Sequence, residues 1–222
     1  METLLLHKNE KKDILLLDSA GTELHVIQHA GSRLCIHMFH LTDLSADYSV
    51  TVEHEGEGCM TEIAGLVVTR GEQQVNCLTR VRHNKGGGTS RQLLKYILTG
   101  KSIASFTGEL YIAPDAQKTD AQQTNRNLLL STEARIETKP QLEIYADDVK
   151  ASHGASTGQL DEKALFYMQQ RCLSAPQARH LLLQAFAEET VAHIEDNILR
   201  QTAKEAVDAR LEQLNTADLY LS

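Results

Sequence analysis

Lys139–Tyr167 reads KPQLEIYADDVKASHGASTGQLDEKALFY, and within it the hydrophobic period changes from that of a strand to that of a helix. Apolar Leu142, Ile144 and Ala146 alternate with Glu143 and Tyr145, the pattern of a half-buried strand, and Pro140 just before them suits a strand entry. Past Gly154 and Gly158 a helix is expected. Asp161 can accept from the free amides of its first turn, and Leu160 can staple onto Leu165. His153 therefore falls at a strand-to-helix boundary, and the chain divides into a mainly β segment, 1–158, and a helical segment, 159–222.

Upstream, short β-type runs follow one another, among them Ile14–Leu17, Leu24–Ile27, Leu34–Phe39, Ser49–Glu53, Ile63–Thr69 and Val75–Val81. Glycines, including the triplet Gly86–Gly88, punctuate them where turns or close backbone approach are needed. A sandwich, a barrel and a parallel solenoid all give such a train, so periodicity leaves the three open. The polar stretch Asp115–Asn127 favours the solenoid: it has almost nothing to bury, yet it lies between strand-like Phe106–Ile112 and Leu128–Leu130. Such a stretch is expected to run along a solvent face, with Thr119, Thr124, Asn125 and Asn127 bonding to adjacent rungs. A long surface loop is the other reading.

Downstream, Glu162–Arg171 reads as a short helix with Ala164, Leu165, Met168 and Phe166 inward, and Ser174 with Gln177 makes a capping box for the next. Ala178, Leu181, Leu182, Ala185 and Phe186 then recur at helical spacing, continued by Val191, Ile194 and Ile198. That stripe serves either to pack on the end of the β domain or to bind another chain.

The 222 residues are 41% hydrophobic but only 5% aromatic, which calls for a thin core of layered aliphatic side chains. A net charge of -8 without a Lys/Arg cluster removes the electrostatic drive toward nucleic acid or anionic membrane. The Leu4–Leu6 run is too short for a signal-peptide core and nothing later approaches a membrane span, so a cytoplasmic protein is expected. Cys35, Cys59, Cys77 and Cys172 form no C-x-x-C pair, which argues against a zinc ribbon, a thioredoxin motif or a ferredoxin ligand set.

The opening stretch, with LVVTRGEQQVNCLTRVRH (66–83), SRQLLKYIL (90–98), FTGELYI (106–112) and AQKTDAQQTNRNLLLS (116–131), resembles the SufD family, in the same order. The resemblance is clear from about Asp43 to Ile198. It implies a right-handed parallel β-helix followed by a C-terminal helical domain. It also implies a non-enzymatic subunit that joins SufB and the ATPase SufC in assembling iron-sulfur clusters. The paired Asp147 and Asp148 and the turn Ser152–Ala155 look more like SufD than like its sister scaffold SufB. His153 matches the family histidine that faces SufB and helps hold a transient cluster there; neutral imidazole is a reasonable iron ligand. The ATPase side is assigned, by resemblance, to the C-terminal helices, with Phe186, Glu188 and Glu189 as candidate contacts.

His25 with His29 could share a strand face, whereas His37 with His40 could not. His83 matches a family histidine and reads as buried and structural. Ala151 stands where many relatives carry cysteine, and Cys172 where relatives end a helix with glycine in the left-handed conformation. The chain is shorter than typical members, reading equally as a short homologue or an excised core. No cofactor is expected in the isolated chain, and a homodimer through the last rungs is expected because a solenoid end near Val149–His153 exposes unpaired strand edges.

Two other functions compete. A β-helix carbohydrate enzyme could use Asp115, Lys118, Asp120 and Arg126 in a groove, but sugar sites favour aromatic platforms and the chain has no Trp. A SufB-like primary scaffold would need several well-placed cluster thiols, which the four cysteines do not match. No P-loop occurs in the chain.

Overall fold

The computed structural model describes residues 2–214; the end of the expected helical segment, 215–222, lies outside them. The described residues form twelve strands and three helices. The odd strands are β1 (Glu2–Leu6), β3 (Thr22–Gln28), β5 (Ala46–His54), β7 (Gln74–His83), β9 (Ile103–Ile112) and β11 (Arg135–Ile144). They make one six-stranded sheet in that order. The even strands are β2 (Lys11–Leu17), β4 (Arg33–His40), β6 (Met60–Thr69), β8 (Thr89–Leu98), β10 (Asp120–Leu129) and β12 (Lys150–Gly158). They make the second sheet, and every ladder in both sheets is parallel. The chain thus changes sheet at every strand and climbs as a two-walled β-solenoid of about five turns.

The turns lengthen as the solenoid grows. Lys11 pairs with Arg33, 22 residues on, whereas Ile103 pairs with Arg135, 32 residues on. At one corner the backbone repeats a left-handed residue, with φ of 69° at Gly31, 67° at Gly58 and 69° at Gly87. Each donates its N–H to a carbonyl of the following turn: Gly31 to Glu57 at 2.9 Å, Gly58 to Gly86 at 3.0 Å, and Gly87 to Gln117 at 2.8 Å. Glycine takes this conformation without a Cβ penalty, which is why Gly87, the middle of the triplet, stands at this corner.

Leu24, Val26, Leu34, Ile36, Val50, Val52, Ile63, Leu94, Phe106 and Leu110 fill the space between the sheets. The outer faces differ. Odd strands alternate buried with more exposed positions, as one-sided burial demands, while β4, β6 and β8 are buried on both faces and read as near-continuous apolar runs. The cover on the even sheet is helical: α1 (Glu162–Gln169), α2 (Ala175–Val191) and α3 (Asn197–Gln213). Phe39, Leu66, Val68 and Ile97 of the sheet share a second apolar cluster with Leu183, Ala187, Val191, Val207 and Leu211 of α2 and α3.

The helices therefore pack on the flank of the solenoid rather than on its end, and among the described residues nothing covers the last rung. The α2 stripe is turned from its expected phase: Ala178, Leu183, Ala187 and Val191 are buried, while Leu181 is 42% exposed. Neighbouring apolar residues on α2 allow more than one phase, and docking against Phe39 and Leu66 selects this one. In α1 Phe166 is exposed rather than inward; Ala164, Leu165 and Met168 are half-buried. The caps are as expected, with Asp161 accepting from the Lys163 and Ala164 amides and Ser174 with Gln177 closing a capping box.

Three local expectations change. Pro140 lies inside β11, paired with Gly108, and not at a strand entry; β11 is bonded to β9 alone, so its other edge needs no donor from proline. Asp120–Leu129 is a full strand and not a solvent-face coil, with Ala121, Gln123, Asn125 and Asn127 buried. Its two asparagines find partners inside the solenoid. Asn125 donates to the Leu94 carbonyl at 3.1 Å, and Asn127 donates to Asn125 at 2.7 Å and Thr157 at 3.1 Å. His153, finally, sits within β12 and not at the boundary, since the strand runs on to Gly158.

Candidate functional site: the open end of the solenoid

Among the described residues β12 is bonded to β10 on one side and to nothing on the other, so its far edge presents free backbone donors and acceptors. Its residues from Ser152 to Gly158 are exposed. Small side chains (Ala151, Ser152, Gly154, Ala155, Ser156) flank His153, so the imidazole is the largest group between Ala151 and Gly158.

The ladder fixes which way His153 belongs. It pairs with Gln123, which pairs with Gln92, then Ile63, Ile36 and Ile14 in turn. This is one inward column of the even sheet, aliphatic in the early rungs and polar in the later ones. His153 thus continues a lumen column and is exposed because no rung follows it.

The other histidines are placed elsewhere. His37 faces outward beneath the helices and is buried; His40 faces inward, its Nδ1 2.9 Å from the Tyr48 hydroxyl. Burial lowers the pKa of both. His29 lies beyond the end of β3, so it does not share a strand face with His25, whose Nε2 is 3.4 Å from Glu53. His83 is buried, with Nε2 2.9 Å from the Ser90 hydroxyl. Its partner His54 was not marked by any sequence signal, because the two are brought together only by the β5–β7 register.

Cys35, Cys59 and Cys77 are buried, and burial raises all three thiols, Cys77 to about 12. Cys172 is exposed and carries φ 66°, the left-handed conformation expected where relatives use glycine. Among the described residues no group of three or more His, Cys, Asp or Glu could hold a metal ion. His153 stands as a single donor.

The helix-covered flank carries the second set of candidates. Lys95 points outward from β8 beneath α2, its side chain 2% exposed. Its ammonium donates to the Phe186 carbonyl at 2.7 Å, lies 4.4 Å from the Phe186 ring centroid and bonds the Glu189 carboxylate. Arg126 reaches the same carboxylate at 2.9 Å. Burial pulls the Lys95 pKa down against the pull of Glu189; burial also works against the Glu189 carboxylate, but Lys95 and Arg126 outweigh it and hold that group below its usual range. Phe186 and Glu189 are therefore engaged within the chain, while Glu188 is exposed and 3.7 Å from Lys204. Arg210 of α3 ties the other end of the helical layer, donating to Asp43 at 2.6 Å and to the Thr42 and Val68 carbonyls. A cavity of about 280 Å³ opens between α2 and the sheet, bordered by Glu62, Arg91, Arg126, Glu189 and His193.

The fold, a parallel solenoid followed by helices, agrees with the family that the sequence motifs suggest. The family described as SUF system FeS cluster assembly, SufBD core domain, matches residues 9–186. The chain belongs to the SufBD core family. Within it, the chain is 38% identical over 210 residues to the iron-sulfur cluster assembly protein SufD of Escherichia coli, covering 95% of this chain and 47% of that protein. It is 38% identical over 163 residues to an iron-sulfur cluster assembly SufBD family protein of Synechocystis, covering 73% of this chain and 36% of the relative. SufD of Bacillus subtilis is 36% identical over 132 residues, 59% of this chain and 30% of that protein. These likenesses support a SufD-type member, and the chain spans less than half the length of these relatives. No described helix is long and apolar enough to cross a membrane.

Proposed function

We propose that this chain is a non-enzymatic scaffold subunit of the Suf machinery, which joins a SufB-type subunit and a SufC-type ATPase and presents His153 to an iron-sulfur cluster assembled as cargo where the subunits meet. The observation that carries this reading is the position of His153: an exposed imidazole at the end of a lumen column, on a strand whose outer edge is unpaired. A single donor cannot hold a cluster, and clusters of this kind take four protein ligands, so the other ligands must come from whatever covers β12. A partner strand added to that edge would satisfy its backbone and place its own side chains beside His153. With no partner, a second copy of this chain is the expected cover.

The ATPase is assigned to the helical layer. Phe166, Tyr167, Leu181 and Ile198 leave large apolar surface exposed there, in keeping with a further interface. Co-expression with SufB and SufC tests the whole reading: the three chains are expected to purify together and to assemble a cluster, with ATP hydrolysis only where SufC is present. A chain that purifies alone from that mixture, or that binds iron and sulfide stoichiometrically by itself, would overturn it.

A further inference from the structure

The lumen beneath His153 contains a polar side chain that the fold leaves unsatisfied. Gln123 is 1% exposed, and neither its amide oxygen nor its amide nitrogen has a hydrogen-bond partner among the described residues. Buried amides are rarely left so, and one that is calls for a partner the structure does not supply in this arrangement. The polar groups at neighbouring positions bond others, although Asn127 Oδ1 is itself without a partner among the described residues. Gln92, one rung earlier, accepts from Thr79 at 2.7 Å, and Asn125, Asn127 and Thr138 bond one another. On the facing sheet stands Gly108, where a Cβ would lie 1.6 Å from Gln123 Nε2, so the missing side chain is what gives the amide its space.

The remaining neighbour is His153, the register partner of Gln123 in the next rung. Adjacent strands are about 4.8 Å apart and register partners on one face stack, so the Gln123 amide, which lies against Gly108, is long enough to reach the imidazole by turning along the column. Resting on the functional reading above only for what His153 binds, we propose that Gln123 is a positioning residue for His153. Its amide oxygen accepts the N–H of one imidazole nitrogen, and this leaves the lone pair of the other nitrogen directed out of the open end. Histidine ligands commonly donate their second ring N–H in this way, which fixes tautomer and ring orientation. The early rungs need no such group and carry Ile14, Ile36 and Ile63 in the same column.

The test reads the imidazole directly and needs no iron. In the full chain labelled with ¹⁵N-histidine, long-range ¹H–¹⁵N correlation should show His153 in a single tautomer, with NOEs from the Gln123 side-chain amide protons to the ring. Gln123→Met, nearly equal in shape, should return a mixture of tautomers, whereas Gln123→Glu, which keeps an acceptor, should preserve the single one. No NOE in the unaltered chain, or an unchanged tautomer in a folded Gln123→Met, overturns the proposal; so does a mixture in Gln123→Glu. With SufB and SufC present, Gln123→Met should weaken cluster retention roughly ten- to a hundred-fold. A tautomer that responds while retention does not would leave Gln123 in place as positioning residue and count against His153 as ligand.

Discussion

The imidazole of His54 packs edge-on against that of His83, one rung further along the odd sheet, with ring centroids 4.3 Å apart and planes at 77°. Each ring is pinned from the other sheet by a hydroxyl of matching register, His54 by Thr61 at 2.7 Å and His83 by Ser90 at 2.9 Å. Burial holds both neutral, lowering His83 to about 4 and His54 well below its ordinary value.

That depression sets a pH dependence with a definite sign. Between the folded value near 4 and the ordinary 6.5, the unfolded chain takes up a proton that folded His83 refuses. Stability is therefore full above about pH 6.5 and falls as pH drops toward 4, with ~2 kcal/mol lost from His83 by pH 5. Denaturant unfolding at pH 7.5 and pH 5 should show this, and His83→Gln should shrink the difference while the share from His54 remains. An equal loss in both proteins would exclude the histidine as its source.

Gly88→Ala is expected to unseat the same pair. A Cβ there would meet His83 Nδ1 at 2.7 Å and His54 Nδ1 at 2.9 Å, against packed rings that have no free direction. Overpacking of this kind costs about 1–3 kcal/mol. A melting temperature equal to the unaltered chain would show that the corner yields more easily than its contacts indicate.

His153→Ala should leave the isolated chain within about 0.5 kcal/mol of its stability, because the side chain is exposed on the terminal rung. Cluster formation with SufB and SufC should nevertheless fall. Normal assembly by the stable variant would end the assignment of His153 as a ligand.

Glu189 and Glu188 should behave differently under charge reversal, although they are adjacent. Glu189→Lys sets a third cation beside Lys95 and Arg126 and is expected to cost roughly 2 kcal/mol, since Lys95 is buried and loses its counter-charge. Glu188→Lys touches only an exposed pair and should fall within about 0.5 kcal/mol. Only Glu188→Lys then reports cleanly on the ATPase, and unchanged SufC affinity in that variant would tell against this face of α2 as the contact.

The isolated chain should dimerise through β12, whose free edge a second copy can pair. Light scattering at micromolar concentration should give twice the mass of one chain, and Ala155→Pro, which removes a donor from the edge strand, should shift the balance to monomer. A monomer for the unaltered chain would remove the claim.

Local chemistry was legible in the sequence wherever neighbours along the chain decide the outcome. Alternation and glycine spacing marked the strands, Asp161 and Ser174 marked two of the three helix starts, and the ordered motifs pointed to the family and through it to His153. Residues whose roles depend on separation in space were not legible. Turns that grow from 22 to 32 residues leave no fixed repeat to detect, so nothing in the sequence announced that His54 stacks on His83 or that Gln123 lies beneath His153. Asp120–Leu129 looked too polar for a core strand, yet Asn125 is met by the Leu94 carbonyl and Asn127 by the Thr157 hydroxyl, groups that belong to other rungs. Nothing in the sequence marks Lys95 as buried; α2 covers it. A strand's side-chain period is set by its own backbone, but the partner that meets each side chain is set by register and docking, and those are properties of the assembled solenoid alone.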